Sequence, residues 1–268
     1  MADHQYQLEG NAPRLYERDT AQTLGKPLAE QVFNHVELHK GDRVLDAACG
    51  TGIVTRVAAQ RFAHAGKFVG VDRNTSMLDV ARDLAPTNAT VEWRQGDLSA
   101  LPFPDNSFDV VLCQNGVQFV PDKLTVLREM NRVLVPGGRL AFTVWSAITP
   151  YAAAVSEALA RHISKEAAAS QLSMFQLRDV ETVQKLAVDA GLQELTMQEL
   201  VVIRPMPASA EGIIADAART AFARDVIEAS EEARQAFGHE VSGALQSYRD
   251  GDQLLIPHKS HLVQARAA

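Results

Sequence analysis

The sequence predicts an α/β fold built on a parallel sheet that helices cover on both faces. Three observations predict it. Short apolar segments alternate with amphipathic helical ones from about residue 43 to 145, and repeated βα units of this kind form a parallel sheet. The stretch VLDAACGTGIVTR, Val44 to Arg56, reads as a strand, a glycine turn and a helix. Hydrophobic residues make up 46% of the 268, enough for a full core and against wholesale disorder.

Residues 1–40 precede the first strand and read as a helical cap, with Leu24, Leu28, Val32 and Val36 at spacings of four. The core spans 41–146. Its strands are expected at Arg43–Ala47, Lys67–Asp72, Thr90–Arg94, Phe108–Cys113 and Gly138–Trp145, with helices near Thr51–His64, Thr75–Ala85 and Asp122–Val135. Pro136-Gly137-Gly138 is read as a structural turn from a helix into the fifth strand. Residues 147–252 hold inserted helices and the remaining core elements. Thr149-Pro150 starts a helix over Tyr151–Ile163, since proline suits the first helical position. Another helix, near Asp179–Ala190, ends at Gly191. LTMQELVVIRP follows as a strand, then helical stretches at Ala210–Ala229 and Glu231–Tyr248. Residues 253–268 are the last strand, where Pro257 suggests a bulge or an edge position.

Composition narrows the function. The net charge of −7 disfavours non-specific binding to a phosphate backbone, so no nucleic-acid partner is expected. The two cysteines, Cys49 and Cys113, supply neither a disulfide framework nor a zinc ligand set, and no metal is expected. The start of the sequence lacks the apolar stretch of a signal peptide. No segment reads as a membrane span, and a cytoplasmic location is expected.

In DAACGTG, Gly50 and Gly52 let the backbone approach a ligand, and the next helix aims its free N–H groups at the same place. A tight turn holding nothing is the plain alternative. The spacing is not G-x-G-x-x-G, because Ala48, Gly50 and Ile53 fall on those positions. Nor does Gly-Lys-Ser/Thr follow, as a P-loop requires. Asp72 closes the second strand, where a carboxylate can accept from a ribose diol; it could instead cap the next helix, a task open also to Asn74 or Thr75. Gly96-Asp97-Leu98 follows the third strand, and an acid there can accept from an adenine amino group or simply face water.

Together VLDAACGTG, VGVD, GDLSALPFPDNSFDVVLCQNGVQFVPD and EMNRVLVPGGRLAF, within about residues 40–145, resemble the class I S-adenosylmethionine-dependent methyltransferases. The similar branch includes ubiquinone and menaquinone biosynthesis enzymes and many small-molecule methyltransferases. The resemblance implies a Rossmann-like, doubly wound sheet of seven strands, mostly parallel with an antiparallel last strand, and added helices forming a lid. It implies S-adenosylmethionine as cofactor and S-adenosylhomocysteine as product. By this resemblance Asp46, Ala48, Gly50 and Gly52 shape the loop under the methionine half. Ala48 departs from the family, which more often has glycine there. Asp72 would bind the ribose hydroxyls and Arg73 would flank the adenine, while Asp97 and Leu98 would read its edge. Gln114 would line the methionine side with Asn115 and Gln118 close by. Tyr16 and Thr23, from the N-terminal helices, would close over the cofactor.

The sulfonium methyl is already activated, so alignment and water exclusion can supply much of the rate. A base is needed only where the acceptor must lose a proton. No acid–base pair stands out and no catalytic residue is assigned; His162 and His239 read better as solvated helix positions. The added helices offer Ala, Leu, Ile, Met and Phe at helical spacing, which suits a small, partly apolar acceptor such as a phenol, quinol or polyketide-like metabolite. They are also compatible with a homodimer. Two other functions fit less well. One is a cofactor-binding protein that transfers no methyl group; the other is an NAD-dependent oxidoreductase, against which the loop spacing argues.

Overall fold

The computed structural model describes residues 8–62, 65–87, 90–218, 220 and 222–268; His64, where a helix was expected to end, lies outside them. The chain divides into two compact units. The core unit comprises Leu8–Ser146, Leu177–Leu200 and Ser260–Ala268. It opens with α1 (Ala12–Tyr16), a nine-residue π-helix (Glu17–Gly25) and α2 (Lys26–Val32). The expected helical cap is therefore interrupted by π geometry, which apolar spacing cannot reveal.

The sheet strands are β1 (Val44–Ala47), β2 (Phe68–Asp72), β3 (Val91–Gln95), β4 (Phe108–Gln114) and β5 (Leu134–Trp145). They pair in the order β3-β2-β1-β4-β5, every pair parallel. The chain leaves β1 toward β2 on one side and reaches β4 on the other. Ligands of open α/β sheets bind at such a reversal, outside the carboxyl ends of the strands. β1 is buried at all four positions, as a strand covered on both faces must be. After β5 come β6 (Leu192–Pro207), the two-residue β7 (Arg249–Asp250) and β8 (Gln253–Ala267). β8 is antiparallel to β5, and the order continues β5-β8-β6. Seven strands thus follow one path and β7 adds an eighth by pairing with β8. The β5–β8 register ends at Trp145↔Ser260. Pro257 lies beyond it, so its missing N–H removes no bond to β5.

Helices α3 (Ile53–Arg61), α4 (Thr75–Asp83), α5 (Lys123–Val133) and, further along, Val180–Asp189 flank the sheet. Asn74 caps α4 by accepting from the N–H groups of Ser76 and Met77, and Asp122 caps α5 through Thr125. Gly191, at φ 83°, follows the helix ending at Asp189. One expectation is corrected here. Pro136-Gly137-Gly138 does not precede strand five but lies inside it: pairing already starts at Phe108↔Leu134 and resumes at Val110↔Arg139. The extra residues bulge out, with Gly137 at φ 73°.

The second unit includes Ala147–Gln176 and Val201–Lys259. Its helices are α6 (Pro150–His162), α7 (Lys165–Ser173), α9 (Ala210–Ala217), α10 (Ala223–Glu228) and α11 (Glu231–Ala244), with α8 the core helix Val180–Asp189. Val155 and Leu159 of α6, Ile213 of α9, Val226 of α10 and Phe237 and Val241 of α11 form its buried cluster with Ile256. The single helix expected over Ala210–Ala229 is two. The Thr220 hydroxyl donates to the Ala217 carbonyl at 2.7 Å, a local bond that competes with helix continuation. Among the described residues no helix is long and apolar enough to cross a membrane.

Candidate functional site

The turn after β1 coils tightly. Ala48, Gly50 and Gly52 have φ of 60°, 54° and 81°, the left-handed region that favours glycine. The Cys49 N–H donates to the Val71 carbonyl at 2.9 Å, and that of Gly52 to the Cys49 carbonyl at 2.8 Å. A Cβ on Gly52 would lie 2.4 Å from the Trp93 indole, so glycine is required there by space as well as by φ. Ala48 tolerates the left-handed conformation at a cost of roughly 1–2 kcal/mol. Its Cβ would come within 2.6 Å of one placed on Gly116. The turns after β1 and β4 therefore meet at the sheet reversal.

Two carboxylates, Asp72 and Asp46, hold this turn and the helix after it, and a third, Asp97, follows β3. Asp72 Oδ2 accepts from the Gly50 N–H at 2.8 Å and Oδ1 from the Asn74 N–H at 2.9 Å. Since Asn74 does the capping of α4, Asp72 keeps acceptor capacity for a ligand. Burial pushes its carboxyl up from the ordinary value, opposed by those two N–H groups. Asp46 is buried below the turn, where Oδ2 accepts from the Thr55 N–H at 3.0 Å and its hydroxyl at 2.7 Å. Burial raises the Asp46 carboxyl to about 7. Its visible task is to anchor the first turn of α3. Asp97 Oδ1 accepts from the Ser99 hydroxyl at 2.5 Å and N–H at 2.8 Å; these bonds hold its carboxyl below the usual range. Asp97 is exposed and Leu98 is buried in the core, which leaves only the Leu98 backbone to meet a ligand. The Gly96 N–H donates to the Asp72 carbonyl at 3.1 Å, joining the β3 turn to the end of β2. Arg73 is exposed, and its carbonyl accepts from Gln95 Nε2.

At the end of β4, Gln114 Nε2 donates to the Gly25 carbonyl at 2.9 Å, tying the π-helix to the sheet. Asn115 sits at φ 52°, and its side-chain oxygen accepts from the Thr143 hydroxyl at 3.0 Å. That amide is directed to β5. Gln118, in the short 3₁₀ turn Val117–Phe119, is buried with neither amide atom partnered among the described residues. Gln114 Oε1 and Thr51 Oγ1 are likewise buried without partners. Tyr16 ends α1 and is 37% exposed. The Thr23 hydroxyl donates to the Asp19 carbonyl within its own helix.

Two groups at this site escaped the sequence reading. Trp93 pairs in register with Gly70, and its ring occupies the space a Gly70 side chain would need. A glycine inside a strand was the available signal. Glu17 and Arg56 form an ion pair with side chains 10% and 16% exposed. Nothing local marks that pair, because it joins a π-helix to α3. Buried polar atoms left unsatisfied are costly, and those of Thr51, Gln114 and Gln118 belong to the turns after β1 and β4. The arrangement fits a ligand that offers a diol to Asp72 and further polar groups to these atoms. A cleft of about 340 Å³ lies elsewhere, between Val36, Arg139 and Arg266. Arg139 pairs with Val110, near the start of β4, so that cleft is at the amino ends of the strands and takes no part in this site.

An open sheet with a left-handed turn after β1 and a half-buried acid ending β2 defines a Rossmann-like core. Within it, residues 45–142 match the family model described as Methyltransferase domain. The chain is 43% identical over 104 residues to 2-phytyl-1,4-naphtoquinone methyltransferase of Synechococcus elongatus, covering 38% of this chain and 45% of that protein. It is 39% identical over 109 residues to demethylmenaquinone methyltransferase of Staphylococcus aureus, covering 41% and 45%. These matches span less than half the length of either relative. Phosphoethanolamine N-methyltransferase 2 of Haemonchus contortus, solved with phosphomonomethylethanolamine and S-adenosylhomocysteine, shares the fold. Its TM-score is 0.62 at 20% identity, over 99% of this chain and 59% of that one.

Proposed function

We propose that the protein transfers the methyl group of S-adenosylmethionine to a small, partly apolar acceptor of quinol or phenol type. The observation that carries this reading is the Asp72 carboxylate, fixed by the Gly50 N–H at 2.8 Å and left out of the cap of α4. In this reading Asp72 binds the ribose hydroxyls, and Ala48, Gly50 and Gly52 form the floor below the methionyl part. The backbone at Leu98, with Asp97, reads the adenine, and Arg73 flanks it. Gln114, Gln118 and Thr51 turn their unpartnered atoms to the methionyl side, while Tyr16 and Thr23 close over it. Asn115 acts by holding its turn to β5. The quinone methyltransferase relatives support the acceptor class, and we assign acceptor choice to residues 147–252.

The bound sulfonium supplies an activated methyl group. What the chain must add is alignment and exclusion of water. The dry surroundings of Asp46, Cys49 and Cys113, all buried, suit that task. Burial holds both thiols well above their ordinary value, so neither is a nucleophile. We place the reaction in the cytoplasm, without a nucleic-acid partner.

Calorimetric titration with S-adenosylhomocysteine tests the reading. The intact protein should bind it, and Asp72→Ala should lose at least about tenfold in affinity, since a hydrogen bond to a charged group is worth about 1.5–3 kcal/mol. A quinol panel should then yield a methylated product. No binding by folded protein would mean that the turn after β1 is only a tight turn.

A further inference from the structure

Glu17 carries the first buried charge of the π-helix, and only half of it is used. Oε1 accepts from Arg56 and, at 2.6 Å, from Gln22 Nε2. A π-helix hydrogen-bonds five residues apart, so Glu17 and Gln22 share a side that an ordinary helix would have split. Oε2 is buried and has no partner among the described residues, on a residue 8% exposed. Arg56 spans from Glu17 to the Thr51 carbonyl. The half-used carboxylate is thereby fixed beside the turn after β1, where the Thr51 hydroxyl is also unpartnered. The other end of the π-helix reaches the same turn region. A Cβ on Gly25 would lie 3.2 Å from Ile53, and the Gly25 carbonyl receives Gln114.

Among the described residues the unpartnered atoms here that can only accept are Glu17 Oε2, Asp46 Oδ1, Gln114 Oε1 and Gln118 Oε1, and of these Glu17 Oε2 is the one the π-helix brings to the turn. Thr51 can accept as well. A carboxylate oxygen held dry with no donor is costly until a donor arrives. The fitting donor is a compact cation with several N–H groups, and a primary ammonium is such a group. We propose that Glu17 is the residue that receives the α-ammonium of the cofactor's amino-acid part. It would distinguish ligands with that group from adenosine thioethers lacking it. The inference rests on the cofactor reading above. It assigns Glu17 to recognition and leaves the methyl-transfer step unchanged.

The test compares three ligands by calorimetry: S-adenosylhomocysteine, its desamino analogue and 5′-methylthioadenosine. Glu17→Gln keeps the shape and the oxygen facing Arg56 but removes the charge. It should weaken S-adenosylhomocysteine by about 10-fold to 100-fold, the range for a charge-assisted bond, and leave the other two within about twofold. Glu17→Asp, which keeps the charge and shortens its reach, should lose the same discrimination if Glu17→Gln does not fold. Equal losses for all three ligands would overturn the proposal, because they would mean that Glu17 acts only by holding Arg56 and the turn. An unchanged S-adenosylhomocysteine affinity in either folded variant would overturn it too. Failure of the wild-type protein to bind any of the three would instead remove the cofactor reading itself.

Discussion

The two units handle backbone and polar groups in different ways. In the core unit Ala48, Asn106, Asn115 and Glu194 all have positive φ, although none is glycine. That unit also holds the unpartnered buried atoms of Glu17, Asp46, Thr51, Trp93, Gln114 and Gln118. Among the described residues the second unit has neither feature. Four of its five described helices start in conventional fashion, with Thr149, Ser164, Ser209 and Ser230 each accepting from the N–H three residues on, and only α10 lacks a side-chain cap. Strain and unsatisfied polarity persist where surrounding structure over-determines them, and function is the common reason. The contrast sets the unit that holds the proposed cofactor site apart from one with neither feature.

Glycine substitutions test that contrast most strongly. Gly52→Ala would force a left-handed alanine and a Cβ 2.4 Å from the Trp93 ring. Adding overpacking to backbone strain gives a loss of about 2–5 kcal/mol, read as a lower urea midpoint. Gly243→Ala in α11 meets nothing within 4 Å. It should stabilise by about 0.4–1 kcal/mol, because the unfolded chain loses freedom. If both substitutions destabilised equally, the distinction between the units would fail.

The pH dependence of stability should run in opposite directions in the two units. Burial raises the folded-state pKa of Asp46 to about 7, so the folded protein holds that proton more tightly than the unfolded chain. Its contribution is complete below about pH 4 and disappears as the pH rises through about 7. His258 of the second unit is pushed down to about 4, mainly by burial and further by Arg204. Its contribution is complete above about pH 6.5 and is lost as the pH falls through about 4. Urea midpoints between pH 4 and 8 should therefore decline less with rising pH in Asp46→Asn and decline less with falling pH in His258→Gln. An unchanged profile in either variant would show that its group does not titrate in that window.

The parts legible in the sequence are those encoded by neighbours in the chain. Apolar strands bounded by glycine, and helices begun by Asn74, Asp122 or Thr149, announce themselves within a few residues. The acid at position 72 could be placed at a strand end by the apolar run before it. What could not be read depends on contacts distant in sequence or on backbone register. The π-helix keeps the apolar residues Ala21 and Leu24 buried, so its pattern passes for an α-helix. Glu17 finds Arg56 across 39 positions. The bulge at Pro136-Gly137-Gly138 looks like a turn because proline and glycine mark both. Leu98 shows the limit within the site: its place after β3 was legible, but not that its side chain would turn into the core.

The smallest effects bear on how each unit begins its helices. Ser230 Oγ accepts from the Ala233 N–H at 3.2 Å, at an exposed end of α11. Ser230→Ala should cost about 1 kcal/mol, the usual worth of such a cap. In the core unit Gly52 precedes α3 and offers no side chain at all; the Thr55 N–H of the first turn is held instead by Asp46 of β1. The comparison is then a matter of linkage. Saturating S-adenosylhomocysteine should raise the stability of wild-type protein and of Ser230→Ala by the same increment, because the Ser230 side chain closes on the Ala233 N–H of its own helix. Asp72→Ala should show a smaller increment than either. A ligand increment in Ser230→Ala as small as that in Asp72→Ala would show that the start of α11 belongs to the binding machinery, and the division drawn between the two units would have to move.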